Sequence, residues 1–529
     1  MYRMMLALLM ACALALAAAM PVTAEADGAF ALQMTGEEAE QLFEWVVFSD
    51  NTAMITKYIG KVAVLQVPEL LDGLTVTAIG KDAFARKNAL VEVELPETVT
   101  SIEDRAFMFC EKLERVKLPT KLLSMGEKVF EECSRLKEAR VPEGLKELPL
   151  RTFTACKALE SVELSEGLAR IGAWAFSSCE ALVEVTLPST VTAIGNGAFC
   201  NCAALEQIHL PEGLISIGED AFSNDASLRA VELPSTVESI GADAYQLCIG
   251  LEHLKLPEGL NEMDTRAFGG CSSLKEVVLP GTLNSVPGIA FTGCDALEKV
   301  VLSEGIKYLC WGCFADCTSL EEIALPASLL GVYENPFMGC TALRRVDIAE
   351  GNTSVEMVNG ALVNCSTWVG YDAEYNDVYG RELACYLPAL GGEEYVVDED
   401  ISVIGYGAFL DCGDLKRVIL PAGLKTIDRY AFSGCTAMEE VRMPENLDGL
   451  NEGAFEKCTA LRTLDLTCYD FYIGDDVFWG CSSDLVLIVN PDSETEESAL
   501  NRGYAYRYPD DDETVRRGNL EEDDDDSDA

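Results

Sequence analysis

Along most of the chain the hydrophobic positions recur at one fixed spacing, and polar residues fill the gaps. Aromatic residues stand at Phe84, Phe107, Phe130, Phe153, Phe176, Phe199, Phe222, Tyr245, Phe268, Phe291, Phe314 and Phe337, each 23 residues after the last. A second series at Phe409, Phe432, Phe455 and Phe478 keeps the same step. Around each aromatic runs P-x-x-L-x-x-I-G-x-x-A-F-x-x-C-x-x-L-x-x-V-x-L-P with some slippage, and sixteen copies fit it. A period of about 20–50 residues marks a repeat array rather than separate globular cores.

The segment L-x-x-V-x-L, as in Leu113, Val116 and Leu118, alternates over its last four residues and predicts a short strand with one buried face. The proline that follows (Pro119, Pro142, Pro188, Pro211, Pro234, Pro257) has no N–H and ends the ladder. I-G-x-x-A-F returns the chain across the back. Ala106, Ala198 or Ala221 leaves room where the backbone turns inward, and the phenylalanine fills the interior. One copy cannot bury its own apolar side, but stacked copies form a continuous core. At ~4.8 Å per strand, such a stack makes a sheet on the order of 75 Å long. The predicted fold is a solenoid of stacked 23-residue coils. A continuous parallel β-sheet forms one face, short β or 3-10 segments form the other, and both ends are capped.

These repeats resemble the BspA-like class of leucine-rich repeats over residues 68–348 and 399–490. The stretch FEWVVFSDNTAMITKYIG resembles the family's lead-in hairpin, and PDSETEESALNRGYAYRY its closing segment. The resulting organisation is an N-terminal cap at 27–67, a first repeat block at 68–348, an island of hairpin strands at 349–398, a second block at 399–490 and a C-terminal cap at 491–509. Within the N-terminal cap, Thr35 and Glu38 form a capping-box pair that predicts a short helix at 36–44.

Ahead of these lies a predicted signal peptide at 1–26: Arg3, the run MLALLMACALALAAAM, then Ala24-Glu25-Ala26. A lipobox ending at Cys12 is the rival reading, but the apolar run continues well past that cysteine. No later stretch approaches the ~20 apolar residues needed to cross a bilayer, so no membrane insertion is expected after signal removal. The tail at 510–529, DDDETVRRGNLEEDDDDSDA, reads as disordered. The net charge of -50 repels nucleic acid and anionic headgroups, so neither is an expected partner.

Fourteen cysteines stand three residues after the aromatic, from Cys110 and Cys133 through Cys481, while Lys87 and Asp225 fill the remaining two slots. A metal needs ligands converging on a point, whereas these are spread along an axis. Neighbouring coils set their Cα atoms about 5 Å apart, within disulfide range. Their side chains run side by side, however, so reduced packing thiols are the expectation and disulfides the alternative. Cys310-Trp311-Gly312-Cys313 reads as C-x-x-C, yet Cys310 takes the glycine slot and Cys313 the alanine slot. Cys200, Cys365, Cys385 and Cys468 lie off the ladder.

Only two histidines occur, His209 and His253, at outward strand positions two coils apart. No H-E-x-x-H, G-x-S-x-G, Walker or Rossmann pattern is present. No catalytic residue, metal site or cofactor is predicted.

Two places are candidates for binding. The residue before the last strand leucine runs Glu94, Lys117, Arg140, Glu163, Thr186, His209, Glu232, Lys255, and then becomes Val278, Val301 and Ala324. That apolar stripe, rimmed by Glu276, Lys299 and Glu322, is either a contact site or ordinary β-propensity on a solvated strand. The other is the island. Phe337 to Phe409 spans 72 residues, three periods plus three, so about two coils have been replaced. Its aromatics are Trp368, Tyr371, Tyr375, Tyr379, Tyr386 and Tyr395, with VNGALV and LACYLP as predicted strands. These rings either pack the hairpin or present an aromatic surface to protein or sugar. Asn352-Thr-Ser and Asn364-Cys-Ser match glycosylation sequons, which carry weight only in a eukaryotic secretory route.

The resemblance implies a secreted or cell-surface bacterial protein, monomeric and non-enzymatic, that mediates adhesion or protein–protein contact. Its implied partner is a host-matrix or cell-surface protein, or a glycan. The alternatives are an extracellular hydrolase or its accessory domain, and a surface spacer without a specific ligand.

Overall fold

A computed structural model describes residues 41–371, 375, 377–444, 447–511 and 514–517. The expected signal peptide, Thr35 and Glu38 lie outside the described residues, as does most of the tail.

Each strand segment pairs in parallel with the one 23 residues on: Glu92↔Arg115, Val93↔Val116 and Glu94↔Lys117 in early coils, Glu276↔Lys299 through Leu279↔Leu302 in later ones. Strands are only three or four residues long because proline or serine follows. Their alternation is as the pattern demands: in Glu276–Leu279, Val277 and Leu279 are buried while Glu276 and Val278 face out. On the other side of each coil the I-G corner makes a second ladder of two-residue strands. It runs unbroken from Glu147–Leu148 through Arg170–Ile171, Ala193–Ile194, Ser216–Ile217 and Ser239–Ile240 to Glu262–Met263.

The back of each coil bends through two residues in the left-handed region, such as Asp82 (φ 58°) with Arg86 (φ 62°), and Arg105 (φ 56°) with Phe109 (φ 61°). A non-glycine residue there costs roughly 1 kcal/mol or more. The bend turns alternate N–H groups onto the next coil, which offsets that cost. Asp82, Phe84 and Arg86 donate to the carbonyls of Asp104, Ala106 and Met108 at 3.1, 2.7 and 2.8 Å.

The interior is a column of rings. Successive phenylalanines lie nearly parallel, with centroids 4.7 Å apart at Phe84–Phe107 and 6.1 Å at Phe314–Phe337. Tyr58 extends the column ahead of Phe84 at 5.3 Å. After the island it resumes at Tyr386–Phe409, also 5.3 Å, and runs to Phe478.

Both caps add detail to the sequence reading. Over the described part of 36–44 there is no helix: Phe43–Val47 is a strand, antiparallel to Thr52–Tyr58. Phe43 is buried with its ring 5.5 Å from Tyr58, so these strands cover the first coil, while residues 36–40 of the predicted helix lie outside the described residues. The closing segment contains a helix, Glu494–Asn501, whose N-cap Ser493 Oγ accepts from the Glu496 N–H. The strand Ala505–Arg507 then extends the parallel ladder. Order also persists past residue 509. Arg516–Arg517 pair back onto Ala505 and Tyr506, with the Arg516 guanidinium 4.0 Å over the Tyr508 ring and 3.0 Å from Asp511.

Candidate binding surfaces

On the open sheet Val278 pairs with Val301, and Val301 with Ala324, so the three residues form one in-register row. Val278 is 42% and Val301 37% exposed. Two residues upstream runs a charged column, with Lys299 2.6 Å from Glu276 and Arg345 3.5 Å from Glu322. Earlier coils carry ion pairs where the row would be, Lys117 with Glu94 and Arg140 with Glu163. The row is therefore an apolar window in an otherwise charged sheet. His209 stands on the same sheet with Nε2 2.8 Å from Glu184 Oε1, both side chains more than half exposed. Nothing encloses that pair.

The island is built as a wall with a projecting end. Val355–Val358, Ala361–Tyr371 and Asp377–Tyr386 form an antiparallel set, and Asp377–Tyr386 then pairs in parallel with Ile401–Ile404. At its root alternate side chains enter opposite cores. Leu362, Ala384 and Cys385 join the core of the first block; Ala361, Val363 and Leu383 join that of the second. Alternation along Ala361–Val363, with a register shift in the facing strand at Ala384, thus closes both blocks with one hairpin. Tyr386 and Tyr395 are buried, their rings 4.9 Å apart and both against Phe409.

Three asparagines splice the interrupted ladders. Asn364 Oδ1 accepts from the Val332 N–H at 3.0 Å and its Nδ2 donates to the Val332 carbonyl at 2.7 Å, so the carboxamide stands in for the missing next strand. Asn335 Nδ2 donates to the Gly407 carbonyl at 2.8 Å across 72 residues of chain. Asn352 Nδ2 donates to the carbonyls of Pro326 and Leu329, and its Oδ1 accepts from Ser354 and Val355. Both sequon amides are therefore held by the fold. Sequence reasoning missed these roles because non-periodic asparagines carry no register signal.

Towards its far end the hairpin is exposed. Trp368 lies opposite Tyr379, and they are 51% and 61% exposed; Tyr375 is 86% exposed. Tyr371 is a strand residue opposite Asp377. Trp368 Nε1 donates to Asp377 Oδ1 at 3.0 Å, so Trp368, Tyr379 and Asp377 share one face. The opposite face rests on the second block: a Cβ on Gly380 would meet Ser402 Oγ at 2.6 Å, which only glycine avoids.

The cysteine ladder has a single bonding pattern. Thirteen thiols donate to the carbonyl of the aromatic 26 residues earlier, as Cys110 to Phe84 and Cys202 to Phe176, at 3.0–3.4 Å. Cys412 departs from it: its thiol lies 3.9 Å from the Leu410 carbonyl, and the Tyr386 carbonyl accepts from Cys385. Burial pushes most of these thiols up, Cys156, Cys202 and Cys248 well above the ordinary range and Cys294 to about 12, so the reactive thiolate is disfavoured there, whereas the contact with Cys133 lowers Cys110. Cys313 is buried and Cys310 half-buried in the slots assigned to them. Among the described residues no group of three or more His, Cys, Asp or Glu is placed to hold a metal. No helix among them is long and apolar enough to cross a membrane.

The family model described as BspA type leucine rich repeat region matches residues 74–183, 169–298, 239–368 and 392–500. No curated protein matches. A leucine-rich repeat protein from Bacteroides ovatus is similar at 20% identity and a TM-score of 0.51, over 88% of this chain and 98% of that one. A leucine rich cell surface protein from Faecalibacterium prausnitzii is 19% identical with a TM-score of 0.39, covering 93% and 96%. The leucine rich repeat protein of T. pallidum is 30% identical with a TM-score of 0.29, covering 44% of this chain and 88% of its own. At these identities the Bacteroides protein shares the fold.

Proposed function

The chain belongs to the BspA-type leucine-rich repeat family, and on that premise we propose that it is an exported, non-enzymatic binding protein of a bacterial surface. In this reading it acts as a monomer in adhesion to a host-matrix or cell-surface protein. The observation that carries the reading is the row Val278, Val301 and Ala324, exposed and in register between ion-paired neighbours. Such a window loses little on leaving water and gains from covering another apolar surface. The exposed end of the island hairpin, with Trp368, Tyr375 and Tyr379, and Tyr371 in the same hairpin, is the second contact. Export is supported by the leader-like pattern of residues 1–26. The hydrolase alternative would rest on His209, and its partner Glu184 stands beside it on an open sheet, where water is not excluded.

The test is binding of the mature chain to immobilised matrix proteins and glycans, comparing the parent with Val278→Lys/Val301→Lys. These positions face outward, so the variant keeps its melting temperature while binding falls at least tenfold. Unchanged binding by a folded double variant would refute the proposed window.

A further inference from the structure

We infer that Cys385 and Cys412 form a disulfide as the chain folds in an oxidising compartment, stapling the root of the island hairpin to the second repeat block. Both are thiols in the structure. The inference goes beyond the binding reading and uses neither of its contacts. It borrows only export, which supplies the oxidant.

In the regular ladder neighbouring thiols run side by side, each on its own carbonyl. Cys340 and Cys435, for example, donate to Phe314 and Phe409 at 3.0 and 3.1 Å. At the splice this phase is broken. Tyr386 stacks on Phe409 as its counterpart one coil earlier, so Cys385 fills the slot that Ala408 fills in the next coil. By the ladder pattern Cys412 belongs on the Tyr386 carbonyl, and that carbonyl accepts from Cys385 at 3.4 Å. The Cys412 thiol is left 3.9 Å from the Leu410 carbonyl. The Tyr386 N–H donates to the Ala408 carbonyl at 2.8 Å, which holds the two coils together. Adjacent coils, ~4.8 Å apart, bring the backbones near, and the change of slot turns the sulfurs toward each other.

The surroundings favour the oxidised form. Burial pushes both thiols up, Cys412 to about 12, so neither is stabilised by ionising. A disulfide brings no donor that needs an acceptor, and suits this buried place better than two thiols beside one carbonyl. A pocket of about 320 Å³ lined by Tyr386, Gly391, Gly392, Cys412 and Asp414 gives the Cys412 side chain space to turn. Cys385 belongs to the first core and Cys412 to the second, so the bond joins the two. Cys313 and Cys340 have the same 27-residue offset, but Cys340 keeps its bond to Phe314 and both lie in one core. That pair stays reduced.

The oxidant is a low-molecular-weight disulfide. One cysteine thiolate attacks a sulfur of that disulfide and releases one thiolate. The second cysteine thiolate attacks the protein sulfur of the mixed disulfide and releases the other. The two protons lost by the cysteines are matched by two taken up by the released thiolates, and one S–S bond is exchanged for another.

The test refolds the reduced, full mature chain from urea in oxidised and reduced glutathione and collects the folded fraction. Free thiols are blocked with N-ethylmaleimide in denaturant, and the chain is cut with trypsin for mass spectrometry. Residues 382–416 leave as one peptide holding Cys385, Cys412 and no other cysteine. The expected peptide is unlabelled and two hydrogens lighter than the dithiol. Residues 308–344, with Cys310, Cys313, Cys317 and Cys340, carry four labels. The oxidised chain melts about 5 °C above the reduced one, and Cys412→Ala abolishes that difference. Chain exported to the periplasm of a bacterial host and alkylated before lysis gives the same peptide readout without refolding. Two labels on 382–416 in folded chain from both routes would overturn the inference. A glutathione adduct left on either cysteine, or disulfides spread along the ladder, would overturn it too. Matrix binding and its loss in Val278→Lys/Val301→Lys are measured on reduced chain, so the two readings fail separately.

Discussion

Replacing Asp225 by cysteine restores the one interior slot of the first block, after Cys110, where the ladder thiol is missing. The aspartate is fully buried, and its Oδ1 accepts from the Cys202 N–H at 2.7 Å while Oδ2 has no partner. Burial pushes its carboxyl well above the ordinary carboxylate range, and the Cys202 N–H opposes this only in part. The titratable groups around it are Cys200, Cys202, Tyr245 and Cys248, none of them a cation. In the neighbouring slots a thiol proton points at the carbonyl of an earlier ring, whereas Asp225 is held only by the Cys202 N–H, so ionising it leaves a buried charge with a single hydrogen bond. The folded-state pKa lies above the unfolded value of about 3.9. The stabilising contribution is thus complete below that value and is lost as pH rises towards the folded pKa. Within that window each pH unit costs about 1.4 kcal/mol. Urea unfolding of the parent, Asp225→Cys and Asp225→Asn at pH 4, 6 and 8 measures this. Both variants gain on the parent by roughly 1.4 kcal/mol per unit as pH rises from 4, until the buried group ionises. A stability difference that stays flat across pH would refute the claim that Asp225 is held protonated.

Other expectations follow from single features. Phe222→Ala opens a gap between rings 5.3 Å and 5.0 Å away and should cost about 3–5 kcal/mol in urea unfolding. Asn364→Ala strands the Val332 N–H and C=O and should cost about 2–4 kcal/mol. Because that residue joins the blocks, its calorimetric transition should split in two. Ile289 is β-branched with φ 52°, so Ile289→Gly should raise the unfolding free energy by about 1 kcal/mol, and a lower value would contradict the strain assigned to it. Exposed Cys468 should react with a thiol reagent within minutes, while the buried ladder waits for unfolding.

The stacking was legible because one period places every ring, alanine and strand leucine at once. Val278 and Val301 face outward as their phase requires, and Tyr386 could not be told from Tyr379 because the island has no phase. Asp225 was visible as an exception, but its unpartnered oxygen was not, since that depends on what surrounds it in three dimensions. The hairpin wall escaped for a related reason. Leu362 and Val363 are adjacent apolar residues, and only the fold shows that they serve different cores. At the N-terminus the predicted helix gives way by Phe43 to a strand that covers Phe84, a long-range demand that no capping motif reports.

Because every rung meets its neighbour through the same contacts, duplicating or deleting 23 residues leaves each junction intact and changes only height. The hairpin rides on this ruler: each extra rung below it lifts Trp368 and Tyr379 by about 4.8 Å relative to the N-terminal cap. Reach can therefore be adjusted in even increments without redesigning either the grip or its mounting.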